Sequence, residues 1–199
     1  MVGKTKTKTN PKPKSKSATA KKPAATKTAK VAKAPEPTKT WKKVLLAVLC
    51  AFIPLAVGGL STLLTGDAMS KFDQFAKPPL APPAWLFPVA WSIIYVLMGL
   101  ALYFIIAKKP KNKQEMSDRK IAVTIFFIQL AFNFAWSPIF FLSGDFFFAL
   151  MWLAIMWIMI IVLMFWARRR SMTAVWLLLP YALWCVFAMY LNFGILLLN

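Results

Sequence analysis

Histidine is absent from this 199-residue sequence, cysteine occurs only at Cys50 and Cys185, and 6 acidic residues face 25 lysines and arginines. Each shortage closes a route. Without imidazole the chain lacks the usual neutral-pH base, the commonest metal ligand and the usual axial ligand of haem iron. Two cysteines inside apolar runs support neither a disulfide framework nor a metal site. Charge is also missing from five long stretches, which contain no Asp, Glu, Lys or Arg at all.

What fills those stretches is apolar. Hydrophobic residues make up 59% of the chain, above the ~45–50% apolar share of ordinary soluble domains. The uncharged runs are Val44–Leu64, Ala84–Ala107, Ile121–Leu142, Phe146–Ala167 and Met172–Leu198. At ~1.5 Å per residue each is long enough, as a helix, to cross a ~30 Å hydrocarbon core. The expected fold is therefore an all-α membrane protein, a five-transmembrane-helix bundle spanning residues 44–199.

The basic residues are segregated. Residues 1–43 combine many lysines with Thr, Ala, Pro and Ser, a single acid, Glu36, and almost nothing apolar, a composition expected to stay disordered. This tail reads either as a polybasic segment held near anionic lipid or as a solvated tail that sets topology. It has no interleaved aromatics for stacking bases, so no nucleic-acid partner is expected. The loops alternate: balanced between the first two spans, basic over Lys108–Lys120, acidic only at Asp145, basic again at Arg168-Arg169-Arg170. The positive-inside rule then puts the N-terminus in the cytoplasm and the C-terminus outside. A lysine-rich tail without the pattern of an organelle transit peptide favours a bacterial plasma membrane.

Polar groups inside the spans are few and they align. Gln129, Asn133 and Ser137 recur at i, i+4 and i+8 on the third span, with Trp136 beside them. Ala131 and Ala135, on the other side, form a small-residue pair that a second copy could approach closely. On the fifth span Trp184, Ala188 and Asn192 share a face flanked by Tyr181; on the second, Trp91, Tyr95 and Met98 do. Such faces suit either an aromatic cavity for a large, flat, apolar ligand or helix-to-helix packing with interfacial Trp and Tyr. The fourth span, with Met151, Met156, Met159 and Met164 and no polar stripe, reads as mostly lipid-facing. Between the first two spans, Pro78, Pro79, Pro82 and Pro83 stiffen a segment that is either a lid or a rigid connector.

Several of these residues carry a resemblance. Lys77-Pro78 followed by Pro82-Pro83, the run Phe87-Pro88-Val89-Ala90-Trp91 through Tyr95 and Met98-Gly99, then Gln129 to Asn133 with Trp136-Ser137-Pro138, and finally Pro180-Tyr181, Trp184, Ala188 and Leu191-Asn192 resemble the TspO/MBR family from Val44 to Asn199. That resemblance implies a membrane receptor or carrier, commonly a homodimer (here through the Ala131/Ala135 face), whose cavity binds tetrapyrroles or other apolar small molecules. It implies that Trp91, Tyr95, Asn133, Trp136, Ser137, Trp184 and Ala188 line the pocket. No cofactor or metal is required, and porphyrin or haem enters as ligand. An alternative it carries is light-dependent porphyrin breakdown using Trp91 and Trp184; another is a regulatory interaction protein acting through the basic tail. The chain departs from the family where Lys71-Phe72 replaces a frequent Trp-Tyr and Leu80 a frequent aromatic. Nothing basic follows Tyr181 or Tyr190, as the sterol motif of the animal proteins needs.

Overall fold

A computed structural model describes Gly3 and residues 37–199; the rest of the basic tail lies outside the described residues. The described chain forms α1 (Pro37–Thr65), a short α2 (Ala68–Gln74), α3 (Leu86–Ala107), α4 (Lys113–Pro138), α5 (Phe146–Arg168) and α6 (Met172–Leu198), and a π-helical turn, Ile139–Ser143, extends α4. Five of these helices are long and apolar enough to cross a membrane, and the protein is an all-helical bundle of five candidate spans. The first begins earlier than hydropathy marks it: Pro37 suits the first turn, where its missing N–H is no loss, and lysine propagates a helix well.

Local chemistry sets the other helix ends. Asn112 caps α4 by accepting from the Glu115 amide (2.8 Å), while Glu115 reaches back to the Lys111 amide (3.0 Å). Asp145 caps α5 by accepting from the Phe148 amide (2.8 Å), just after Gly144 turns the chain at φ 66. Pro138 has no N–H to give to the Phe134 carbonyl one turn back. The Ser61 hydroxyl of α1 donates to that carbonyl instead, at 2.8 Å, so the proline that weakens α4 also joins it to α1.

The spans pack as a closed ring in the order α1, α3, α6, α5, α4, with α3 and α4 also meeting across the middle. In the half nearest the basic loops the interior is solid: Met98, Leu102 and Ile105 of α3 meet Phe126 and Leu130 of α4 and Ile160 and Leu163 of α5. A side chain at Gly99 would collide with the backbone of Cys50 and Ala51, so α1 and α3 touch main chain to main chain there. Arg170 is buried beneath this half. It donates to the Ile105 carbonyl (3.4 Å), to the Lys108 carbonyl and to the Glu115 carboxylate (3.4 Å), tying together the ends of α3, α4 and α5.

The fourth span is exposed over much of its surface, at Phe147, Met151, Ile155, Ile158 and Phe165 among others, as expected of a mostly lipid-facing helix, yet it also has an inner face. That helix, α5, buries a full stripe of Ala149, Leu153, Met156, Ile160, Leu163 and Ala167. The indole N–H groups of Trp152 and Trp157 fasten it to the Phe132 carbonyl (2.9 Å) and the Ala182 carbonyl (3.1 Å). Aliphatic packing inside a membrane needs no polar marker, so a missing polar stripe did not mean a missing interface. The span with the smallest buried share is α1, at 22% of its most apolar window.

Candidate functional site

The other half of the ring is hollow. A cavity of about 120 Å³ lies between the ends of α1, α3, α4 and α6 far from Arg170, with Ala68 and Phe72 of α2 against it; the proline-rich strap, residues 75–85, follows α2. Its floor is a hydrogen-bonded chain across three helices. Tyr95 donates to Asn133 Oδ1 (2.8 Å), Asn133 Nδ2 donates to the Tyr181 hydroxyl (3.1 Å), and Tyr181 donates to Gln129 Oε1 (3.0 Å). Four polar side chains thereby find partners in a lipid-level interior, although the buried Gln129 Nε2 keeps no acceptor among the described residues. A side chain at Gly58 would overlap the Tyr95 ring, so α1 carries a glycine where that ring lies.

The walls are mainly aromatic. Trp91 stacks on Tyr95 (centroids 5.4 Å apart, 29° between planes) and meets the Tyr181 ring edge-on at 6.1 Å. Across the chamber Trp136 stacks on Phe140 (5.1 Å, 24°), and its indole N–H is buried without an acceptor among the described residues. On α1, Ser61, Thr62 and Thr65 line the wall, yet their hydroxyl hydrogens are committed to the carbonyls of Phe134, Gly58 and Ser61. No lysine, arginine, aspartate or glutamate lines the chamber.

Both α2 and the strap are pinned. Lys71 Nζ donates to the Phe141 carbonyl at the π turn (3.1 Å). The Asn199 amide pairs with both backbone groups of Ala76 (3.0 Å each), and the Tyr190 hydroxyl donates to the Pro79 carbonyl (2.6 Å). Leu80, at the tip, is 84% exposed and held at φ 65, an unfavourable conformation for a branched side chain.

Trp91, Tyr95, Asn133, Trp136, Ser137 and Ala188 all come together on the cavity lining. Trp184 does not. It packs edge-on against Phe87 (6.1 Å) and beside Phe187, in an outward groove between α3 and α6. The buried face of α6 centres on Tyr181, Cys185, Ala188 and Asn192. At ~100° per residue, Trp184 sits about 70° off that centre, on the α3 flank. Sequence reasoning also missed the contribution of α1, Phe72 on α2 and Phe140 and Phe141 at the π turn. For α1 a signal was present: Gly58, Ser61, Thr62 and Thr65 put small or hydroxylic residues at helical spacing in an otherwise greasy run.

A membrane bundle of five apolar helices with an uncharged aromatic chamber and a stiff strap is the class this geometry defines. The sequence profile of the TspO/MBR family matches residues 50–198, and the chain belongs to that family. It is 38% identical over 159 residues to the tryptophan-rich protein TspO of Chlorobaculum tepidum, covering 79% of this chain and 98% of the relative. To the protein of the same name from Archaeoglobus fulgidus it is 33% identical over 157 residues (78% and 98%). The translocator protein of Ovis aries is 30% identical over 148 residues, with 74% of this chain and 86% of that one aligned.

Proposed function

We propose that the protein is a membrane receptor or carrier for tetrapyrroles, porphyrin or haem-pathway compounds, held in the chamber between Trp91 and Trp136. The observation that carries this reading is the lining itself: two indoles and several phenyl rings around a space with no charged wall, the surroundings a flat conjugated ring prefers. The buried, acceptor-less Trp136 N–H supports a guest that brings an acceptor. At about 120 Å³ the cavity is smaller than the ~300–1,000 Å³ of sites that enclose drug-sized molecules, so binding a macrocycle entails movement of the residues that wall it. Titrating protoporphyrin IX into the purified protein should quench tryptophan emission saturably. The double variant Trp91→Phe, Trp136→Phe should weaken affinity about tenfold, each lost stacking contact being worth ~0.5–1.5 kcal/mol; unchanged affinity refutes the site.

Light-dependent porphyrin breakdown is a second reading, favoured by the contact of Trp91 with two phenols joined through Asn133. Illuminating the complex in air and finding no protein-dependent product would dismiss it. A homodimer through the α4 face bearing Ala131, exposed at the bundle surface, belongs to the same proposal. So does a bacterial plasma membrane location with the Arg170 end inside and the strap outside.

A further inference from the structure

The chamber leaves a carboxylate nowhere to go. Its lining holds no cation, the hydroxyl hydrogens of Ser61, Thr62, Thr65 and Tyr95 are already donated, and the donors left over among the described lining side chains, such as the Ser137 hydroxyl and the Trp136 indole, are neutral. A bare carboxylate inside would meet uncharged donors only, far short of the compensation its burial demands. An anionic ligand therefore has to leave its charge at the mouth. Among the described residues that end of the bundle carries two cations, Lys71 and Lys77. Lys77 has its charge partly offset: it pairs with Asp73 at 2.8 Å at the surface and lies over the Phe72 ring at 4.7 Å. Lys71 forms no ion pair among the described residues. Asp67, one turn earlier, engages α2 through its backbone carbonyl, which accepts from the Lys71 amide (3.1 Å), and Asp145 caps α5. The Lys71 ammonium bonds the carbonyl of Phe141 at 3.1 Å, and Phe141 lines the chamber, as does Phe72, the next residue of α2. Of its three N–H groups one is used.

We infer that Lys71 is a specificity residue: it binds the carboxylate of a tetrapyrrole whose ring occupies the chamber, and so selects carboxylate-bearing ligands over their neutral counterparts. This rests on the tetrapyrrole reading above and adds to it the orientation of the guest, acid side toward the strap. A guest acid would either share the ammonium with the Phe141 carbonyl or displace it, and a charge-assisted bond is about twice as strong as a neutral one.

The experiment compares protoporphyrin IX with its dimethyl ester on the full-length protein in lipid nanodiscs, by tryptophan quenching, for the wild type, Lys71→Met and Lys71→Arg. Expected is an acid-over-ester preference of about tenfold in the wild type, its collapse toward one in Lys71→Met, and its retention in Lys71→Arg. A lysine that merely fastens α2 to the π turn would weaken acid and ester equally and leave their ratio unchanged. An unchanged ratio in Lys71→Met, or equal affinities in the wild type, overturns the inference while leaving tetrapyrrole binding intact. Failure of both compounds to bind the wild type overturns the tetrapyrrole reading itself and this inference with it.

Discussion

Two halves of the same helices solve the problem of an interior in opposite ways. Toward Arg170, α3, α4 and α6 present Met98, Ile105, Phe126 and Leu178, buried side chains of one packed core, and the end is sealed by an arginine at the end of α5 bonded to the end of α3 and the start of α4. Toward the strap they present Trp91, Trp136, Asn133 and Ala188 around open space. The Tyr95, Asn133, Tyr181, Gln129 chain is the border. The comparison teaches that rigidity and receptivity occupy different lengths of one bundle. The filled half can supply stability, so the hollow half is free to lack it.

Arg170→Met should give the largest effect. It strips the carbonyls of Ile105 and Lys108 of their partner, each costing ~1–3 kcal/mol when left unpaired in the interior, and takes the cation from the Glu115 carboxylate. Thermal unfolding in detergent should show it, with porphyrin affinity kept well below the melting point; an unshifted Tm means the sealed end is not where the stability lies. Tyr181→Phe attacks the border and should cost ~1–2 kcal/mol by leaving Gln129 and Asn133 short of a partner. Affinity should fall with stability here, and a stability loss without an affinity loss would detach the floor from the site. The smallest change in stability belongs to Asn199→Ala, within ~0.5 kcal/mol of wild type because its amide is exposed. Porphyrin release followed by stopped-flow should nevertheless quicken, and an unaltered rate would show that the strap does not hold the guest.

The five spans were legible because an uncharged run of that length has few other fates, and the alternation of basic and non-basic loops agreed with it independently. Helix ends were less so: α1 reaches back to Pro37 because lysines are good helix formers, although hydropathy discounts them. The stripe on α4 was read correctly as inward-facing, since buried amides in lipid must find one another, and Gln129 and Asn133 do so through Tyr181. Trp184 was misplaced for a rotational reason. A residue four positions from Ala188 was assigned to its face, but a wide indole on the flank of a helix turns toward the neighbouring helix rather than into the gap. Short α2 and the π turn at Ile139 were not legible, because both depend on tertiary contacts such as Lys71 on Phe141 and Ser61 on Phe134.

The main-chain contact at Gly99 has a mechanical side. It grips α1 at Ala51, while fourteen residues further on Thr65 borders the empty chamber. A rod gripped at its midpoint pivots there. With an arm of about 21 Å, at ~1.5 Å per residue, a tilt of roughly 10° at the fulcrum carries Thr65 by about 4 Å. That swing enlarges the room at the far end only when the Ser61 bond to the Phe134 carbonyl gives way, which makes this bond the latch of the lever.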